Sequence, residues 1–270
     1  MFYRRHIPPQ PLAAFVSCLW YSEGFEGTHQ QERLLPNGES GIVIDLREGP
    51  VHIYDAGDPH RYESFEPAVF CGARTDCFII DTSQQQRVIG IQFHPGGAFP
   101  FLHMPASELA FGTHALDNIW PRSTSLLREQ LMSAGSVNAM FAILQRELLT
   151  RLSRNLHPAV AFAAKALARP SGDLQVRAVA DRVGFSSRRF IELFRQQTGL
   201  APKAFQRVRR FQHVLQSLHR GDPGDWAELA LRCGYYDQAH FIHDFRLFSG
   251  MTPSAYVAIA TPHLNHIPLR

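Results

Sequence analysis

Short apolar runs cut by turn-forming residues dominate the first third of the chain. GIVIDL (41–46), VHIY (51–54), AVFCG (68–72), CFIID (77–81) and RVIGIQF (87–93) are rich in Val, Ile and Phe, and Gly, Pro, Asp and Ser clusters divide them. RLLPN (33–37) leads into Asn37-Gly38, a strong turn signal, and Gly49-Pro50 is a second break. Several short strands spaced in this way predict a sandwich or a small barrel. After Pro95 the period changes. Gly96-Gly97 precede AFPFLHM, and Ser107-Glu108 open a short helix-like stretch. Residues 123–133 and 136–154 read as amphipathic helices; in the second, Val137, Met140, Phe141, Leu144, Leu148 and Leu152 recur at three- and four-residue steps. This second helix is either a dimer seam or a cover for the strands. Asn155 to Pro158 mark a boundary, and beyond it the chain reads as short helices.

The second half contains an internal repeat. Ala180 and Gly184 match Ala230 and Gly234 at an offset of 50. Past the turn the offset is 51: Phe190, Phe194, Arg195, Gly199, Pro202 and Phe205 match Phe241, Phe245, Arg246, Gly250, Pro253 and Tyr256. The extra residue falls in the turn, where length variation costs least. Each unit has the parts of a helix-turn-helix. A small residue lets two helices cross closely, and a glycine ends the first helix because it reaches the left-handed conformation without strain. Ser186 or Asp237 caps the next helix. An aromatic pair four residues apart then turns one face inward. The outward faces offer Arg188, Ile191, Glu192 and Arg195 in the first unit, and Gln238, Ala239, His240, His243 and Arg246 in the second. Residues 202–219 read as one connecting helix with an apolar stripe of Phe205, Val208, Phe211, Val214, Leu215 and Leu218. Two readers fixed about one turn of duplex apart, roughly 34 Å, enter successive major grooves.

Charge sharpens this division. Residues 1–156 hold 12 Lys+Arg and 16 Asp+Glu, a net of −4, whereas residues 157–270 hold 15 and 8, a net of +7. A basic half beside an acidic half fits one domain that meets a polyanion and one that does not. No apolar run approaches the roughly 18 residues of a membrane span, so no membrane partner is expected. Prolines interrupt the apolar residues near the amino terminus, which speaks against a signal peptide. The four cysteines form no C-x-x-C pair, so the expected compartment is the cytoplasm.

With these residues in view, 157–260 resembles the AraC/XylS family of bacterial transcription regulators. The likeness rests on the A-x-x-x-G-[FY] steps, the F-x-x-x-F-R helices, the two G-x-x-P endings and Arg210 in the connecting helix. RLLPNG (33–38) and GIQFHPGGA (90–98) carry a weaker likeness to a sensor-like domain of unknown function that accompanies this unit. The resemblance implies an α+β chain of two domains: a small β-barrel or cupin-like domain with a helical extension, then an all-α, homeodomain-like double helix-turn-helix. The expected divisions are 1–115 for the sensor, 116–156 for a helical linker or dimerisation segment, 157–262 for DNA binding and 263–270 for a tail. It implies a sequence-specific DNA-binding regulator and no enzyme. The DNA-contacting set is Ser186, Arg188, Arg189, Ile191, Glu192, Arg195, Arg210, Gln238, Ala239, His240, His243 and Arg246. Members often carry Arg or Gln where Ile191 and Glu192 stand, so the second unit offers more base-reading chemistry than the first. Double-stranded DNA is the expected partner, with a small-molecule effector, a second copy of the chain and, for an activator, RNA polymerase as further candidates.

Other chemistry finds little support. His52, His60, His94 and His103 stand singly rather than as the His-x-His of a metal cupin, and Asp45, Asp55 and Asp58 sit among Gly and Pro as turn residues. Cys71 and Cys77 are a redox pair only if the fold unites them. HPGGAF (94–99) is either an anion-holding loop or, the more economical reading, a tight turn. No metal and no cofactor are expected. An effector pocket would draw on Trp20, Tyr54, Phe70, Gln92 and His94. The alternatives are a cupin-like or DNA-repair-type enzyme with an appended DNA-binding unit, and an interaction module that has lost DNA binding, for which Glu192 speaks.

Overall fold

In the computed structural model, which describes residues 2–24, 29–58, 60–84, 86–169, 175–221, 225–261 and 263–269, the amino-terminal strands form two antiparallel sheets. The first runs β1 (Phe2–His6), β2 (Val16–Glu23), β9 (Arg87–Phe93), β4 (Gly41–Asp45), β7 (Ala68–Cys71), β10 (Thr113–Ala115). The second runs β11 (His266–Leu269), β3 (Gln31–Leu34), β8 (Phe78–Asp81), β5 (Val51–Tyr54), β6 (Tyr62–Phe65). They do not close on each other, so the architecture is the sandwich of the two expected forms rather than the barrel.

The two-residue period of a strand makes the first sheet a middle layer. Ile42, Ile44, Phe70, Ile89, Ile91 and Phe93 face α1 (Thr124–Met132) and α2 (Val137–Arg151), and join Leu127, Leu131, Met140, Phe141, Leu144 and Leu148 in one core. The stripe expected on 136–154 therefore covers the sheet. Alternate residues, Gly41, Val43, Val69 and Cys71 among them, face the second sheet. Phe70, expected in an effector pocket, is buried on the helix side instead, because a step of one residue along a strand changes the face.

Seven helices follow: α3 (Pro158–Leu167), α4 (Val176–Arg182), α5 (Ser187–Thr198), α6 (Pro202–His219), α7 (Trp226–Arg232), α8 (Gln238–Ser249) and α9 (Pro253–Ile259), counted among the described residues. Helix α6 belongs to two cores at once. Phe205 packs with Phe190, Phe194 and Val160 in one, while Val208, Phe211, Val214 and Leu215 pack with Phe241, Phe245 and Tyr256 in the other. All these α6 side chains are fully buried, each burial worth about 1.5–3 kcal/mol, so the helix spans both repeats without a soft joint.

The loop 33–38 ties this helical region to the sheets. Gln212 Nε2 donates to Pro36 O at 2.8 Å, and Arg209 Nη1 donates to Asn37 O at 3.2 Å. Arg33 Nη1 reaches Ser249 O at 3.1 Å. Asn37-Gly38 is a turn, as expected, but it joins strands of different sheets and packs on α6 rather than closing a hairpin. Gly38 has φ +76°, and a Cβ there would stand 3.3 Å from the Phe205 ring. The HPGGAF segment is likewise a turn, with Gly97 N bonded to His94 O at 2.7 Å.

The carboxyl terminus departs from expectation. Residues 263–270 were expected as a tail, yet His266–Leu269 pair antiparallel with β3, and Ile267 lies fully buried among Leu35, Cys77 and Tyr256. The boundary expected at residue 262 falls outside the described residues. The chain thus returns from its last helix to complete the second sheet. Ile267→Ala should lower the unfolding free energy in urea by about 2–4 kcal/mol. Ile7→Ala, at a side chain 72% exposed, should change it little. Equal effects would show that β11 does not hold in solution.

Candidate nucleic-acid interface and the cavity behind it

The repeat read from the sequence extends to individual hydrogen bonds. Gly184 (φ +75°) and Gly234 (φ +80°) make the two turns, and Phe185 N and Tyr235 N bond Ala180 O and Ala230 O at 3.0 and 2.9 Å. Ser186 Oγ accepts from Arg189 N at 3.3 Å, and Asp237 Oδ1 accepts from His240 N at 2.7 Å, capping α5 and α8. At the far ends, Thr198 Oγ1 donates to Phe194 O and Leu200 O, and Ser249 Oγ donates to Phe245 O and Met251 O. The Thr198/Ser249 match keeps the offset of 51 and was legible in the sequence, though the sequence reading did not use it. The extra residue of the second turn is Tyr236, which is 86% exposed immediately before α8.

Both outward faces are open. On α5, Arg188, Arg189, Ile191, Glu192 and Arg195 are exposed. Glu192 does not stand alone there: Arg189 Nη1 lies 3.9 Å from it and Gln196 Nε2 3.5 Å, which tempers its repulsion of a phosphate. On α8, Gln238, Ala239, His243 and Arg246 are exposed. His240 is half-buried, 3.8 Å from Asp244 and edge-on to the Tyr235 ring, so it faces the protein more than its neighbours do. Buried Asp244 receives Arg207 of α6 through Nη2 at 2.6 Å and Nε at 3.3 Å.

Arg210 requires a correction. Its Nη1 donates to Gly234 O at 2.9 Å and its guanidinium lies over the Tyr235 ring at 5.2 Å. It secures the second turn to α6 rather than facing outward. Burial, and then the nearby Asp244 charge, push the Tyr235 phenol well above its ordinary range against the opposing pull of Arg210.

Between the sheets lies a cavity of about 580 Å³, within the size range of small-molecule sites. Of the five residues expected around an effector, Trp20 and Gln92 line it. Tyr54 faces a separate cleft of about 760 Å³ on the far side of β5, against the Tyr62 ring. His94 is exposed beyond the end of β9, outside both spaces, and Phe70 is in the core already described. The sequence reading missed Glu39, whose Oε2 accepts from Gln92 Nε2 at 3.0 Å and whose Oε1 lies 3.5 Å from Arg209 Nη1. Burial holds its carboxyl above the usual range, against the opposing pull of Arg209. Residues 263–266, which lead into β11, also line the cavity. Glu32 bridges His29 and His266 at 2.7 Å each; burial raises its pKa, and these two partners outweigh that and hold it low. The four cysteines are free thiols. Among the described residues, no helix is long and apolar enough to cross a membrane, and no group of three or more His, Cys, Asp or Glu is placed to hold a metal ion.

Residues 4–114 match the family model of a domain of unknown function, DUF6597, and residues 179–258 match that of a helix-turn-helix domain. An uncharacterized HTH-type transcriptional regulator of Haemophilus influenzae is 30% identical over 90 residues, which is 33% of this chain and 30% of that protein's length. The structure of a probable AraC family transcriptional regulator from Rhodopseudomonas palustris is 28% identical, covering 40% of this chain and 97% of that one, with a TM-score of 0.33. The structure of ToxT from Vibrio cholerae is 9% identical, covering 96% of this chain and 98% of that one, with a TM-score of 0.46.

The two arginines Arg210 and Arg246 should separate by experiment. Arg210→Ala should lower stability in urea by about 1–3 kcal/mol, because Gly234 O loses its partner. Arg246→Ala should leave stability unchanged and reduce the salt slope of duplex binding by about one. The reverse pattern would return Arg210 to the interface.

Proposed function

With residues 179–258 a helix-turn-helix domain, we propose that the chain is a cytoplasmic transcription regulator. It binds double-stranded DNA with α5 and α8, and its sheets hold a small effector. The observation that carries this reading is the second copy of the unit. Turn, cap, buried aromatic pair and terminal hydroxyl recur in place, leaving two equivalent helices with open polar faces on one rigid connector. A helix of this size fits the major groove, where Arg, Gln and His meet base edges and phosphates.

The two helices divide the work. On α8, Gln238 and His243 are the base readers, with Ala239 against a thymine methyl and Arg246 on phosphate. On α5, Arg188 reads while Arg189 and Arg195 position the protein; the N-capping bond of Ser186 leaves its hydroxyl a minor contact, and Ile191 offers only apolar contact. RNA polymerase would be a partner of an activator, and a second copy of the chain would double the half-sites. Among the described residues, no group of three or more His, Cys, Asp or Glu placed to hold a metal ion favours an enzyme over this reading.

Selection of random duplexes on the purified full chain tests it. The enriched sequence should hold two short motifs about 10–10.5 bp apart, and log affinity should fall linearly with log salt. Arg188→Ala should weaken the selected duplex more than a random one; an equal loss on both would make Arg188 a phosphate contact. Absence of any enrichment would overturn the proposal.

A further inference from the structure

The face of the first sheet that looks at the second mixes small residues with Tyr3, Arg5, Trp20 and Gln92. Cys18, Gly41, Val43, Val69, Cys71 and Val88 occupy inward positions, whereas the opposite face carries Ile, Phe and Leu. Close packing is the rule in protein interiors, so a cavity of about 580 Å³ with this lining reflects side-chain choice rather than a packing accident. Gly90 contributes too. A Cβ there would stand 2.3 Å from the Trp20 ring, so the glycine lets the indole lie flat on β9 as a cavity wall.

The lining is largely apolar, with aromatic faces, four carboxylates, two guanidinium groups and the imidazoles of His52, His263 and His266. Glu32, Glu39, Asp45 and Asp81 face Arg5 and Arg74, four carboxylates to two guanidinium groups. Three of the four have firm partners: Glu32 is held by His29 and His266, Asp45 by Arg47 at 3.0 Å, and Asp81 by Ser83. Glu39 accepts from one Gln92 amide at 3.0 Å, lies 3.5 Å from one Arg209 guanidinium nitrogen and feels the Arg5 charge, and a carboxylate has about four acceptor positions, so it retains free ones. Trp20 and Tyr3 line the same space. A carboxylate and aromatic faces lining one cavity are the groups that recognise an organic cation.

We propose that this cavity binds a small organic ammonium ion, seated on Glu39 against the Trp20 indole, and that helix α6 senses its presence. The proposal rests on the regulator reading above and supplies the effector's chemical class and its route to the DNA-binding helices. That route has two contacts. Arg209 of α6 reaches Glu39 itself, so a bound ammonium competes with it for the same carboxylate. Gln212 of α6 donates to Asn265 Oδ1 at 2.9 Å, and Asn265 lies in the segment that lines the cavity. Both contacts lie on the one helix shared by both helix-turn-helix cores.

The cavity's own thiols report its accessibility and sign. The full-length protein is treated with aminoethyl or sulfonatoethyl methanethiosulfonate, and the modified cysteines are identified by peptide mass mapping, with each rate divided by that reagent's rate on free cysteine. The cationic reagent should label Cys18 and Cys71 at least 10-fold faster than the anionic one, and Glu39→Gln should bring the ratio below about 3-fold. Equal labelling, an anionic preference, no labelling of the folded protein, or a ratio unmoved by Glu39→Gln would each overturn the proposal. The wild-type ratio stands as a test even if the variant fails to fold. Duplex binding measured on the same samples separates the two readings. Binding that persists without a cationic preference removes this site alone, and a cationic preference without duplex binding removes the regulator reading.

Discussion

Helix α6 is the constraint on which the other parts depend. Its apolar stripe supplies Phe205 to the first helix-turn-helix core and Phe211 to the second, so neither core is complete without it. Several of its polar side chains are engaged as well. Arg207 and Arg210 hold the second unit through Asp244 and Gly234, while Arg209 and Gln212 hold the backbone of the 33–38 loop. A helix packed on both flanks has no low-energy way to bend, which is why two reading helices keep one spacing.

The repeat was the most legible part of the sequence, because helix caps, turn glycines and aromatic pairs are local signals that recur at a fixed offset. The turn residues and the α6 stripe follow from the same local physics. Five strands named by their apolar runs also stand where expected, with small differences at their ends. What the sequence hid was long-range. β1 carries two arginines and no alternation, and β11 lies beyond a segment that reads as a tail. The pocket residues failed for a related reason. Strand phase decides which face a side chain takes, and periodicity alone does not say which face meets helices and which meets the other sheet. Phe70 went to the core on that account, and Tyr54 to a different cleft. Arg210 was assigned by resemblance to an interface, whereas its partners are the backbone and ring of the neighbouring turn.

The segments that carried the weaker likeness acquire a physical meaning in the fold. RLLPNG spans the end of β3 and the loop against α6: α6 holds the carbonyl groups of Pro36 and Asn37, Arg33 reaches Ser249 O, and Leu35 is buried with the α6 stripe. GIQFHPGGA gives Gly90 under the Trp20 indole, Gln92 on Glu39 and Gly96 against Leu156 and Thr198. Both segments therefore lie where the sheets meet the helical region. The space between the sheets is joined to the helical region through few bonds.

Through α6 and segment 33–38, the sheets and helices α5 and α8 form one cooperative unit. Scanning calorimetry of the full chain tests it most directly. The wild-type protein should melt in a single transition whose calorimetric and van't Hoff enthalpies agree. The Arg209→Ala, Gln212→Ala double variant should melt in two. A wild-type protein that already melts in two steps, or a double variant that still melts in one, would contradict the account.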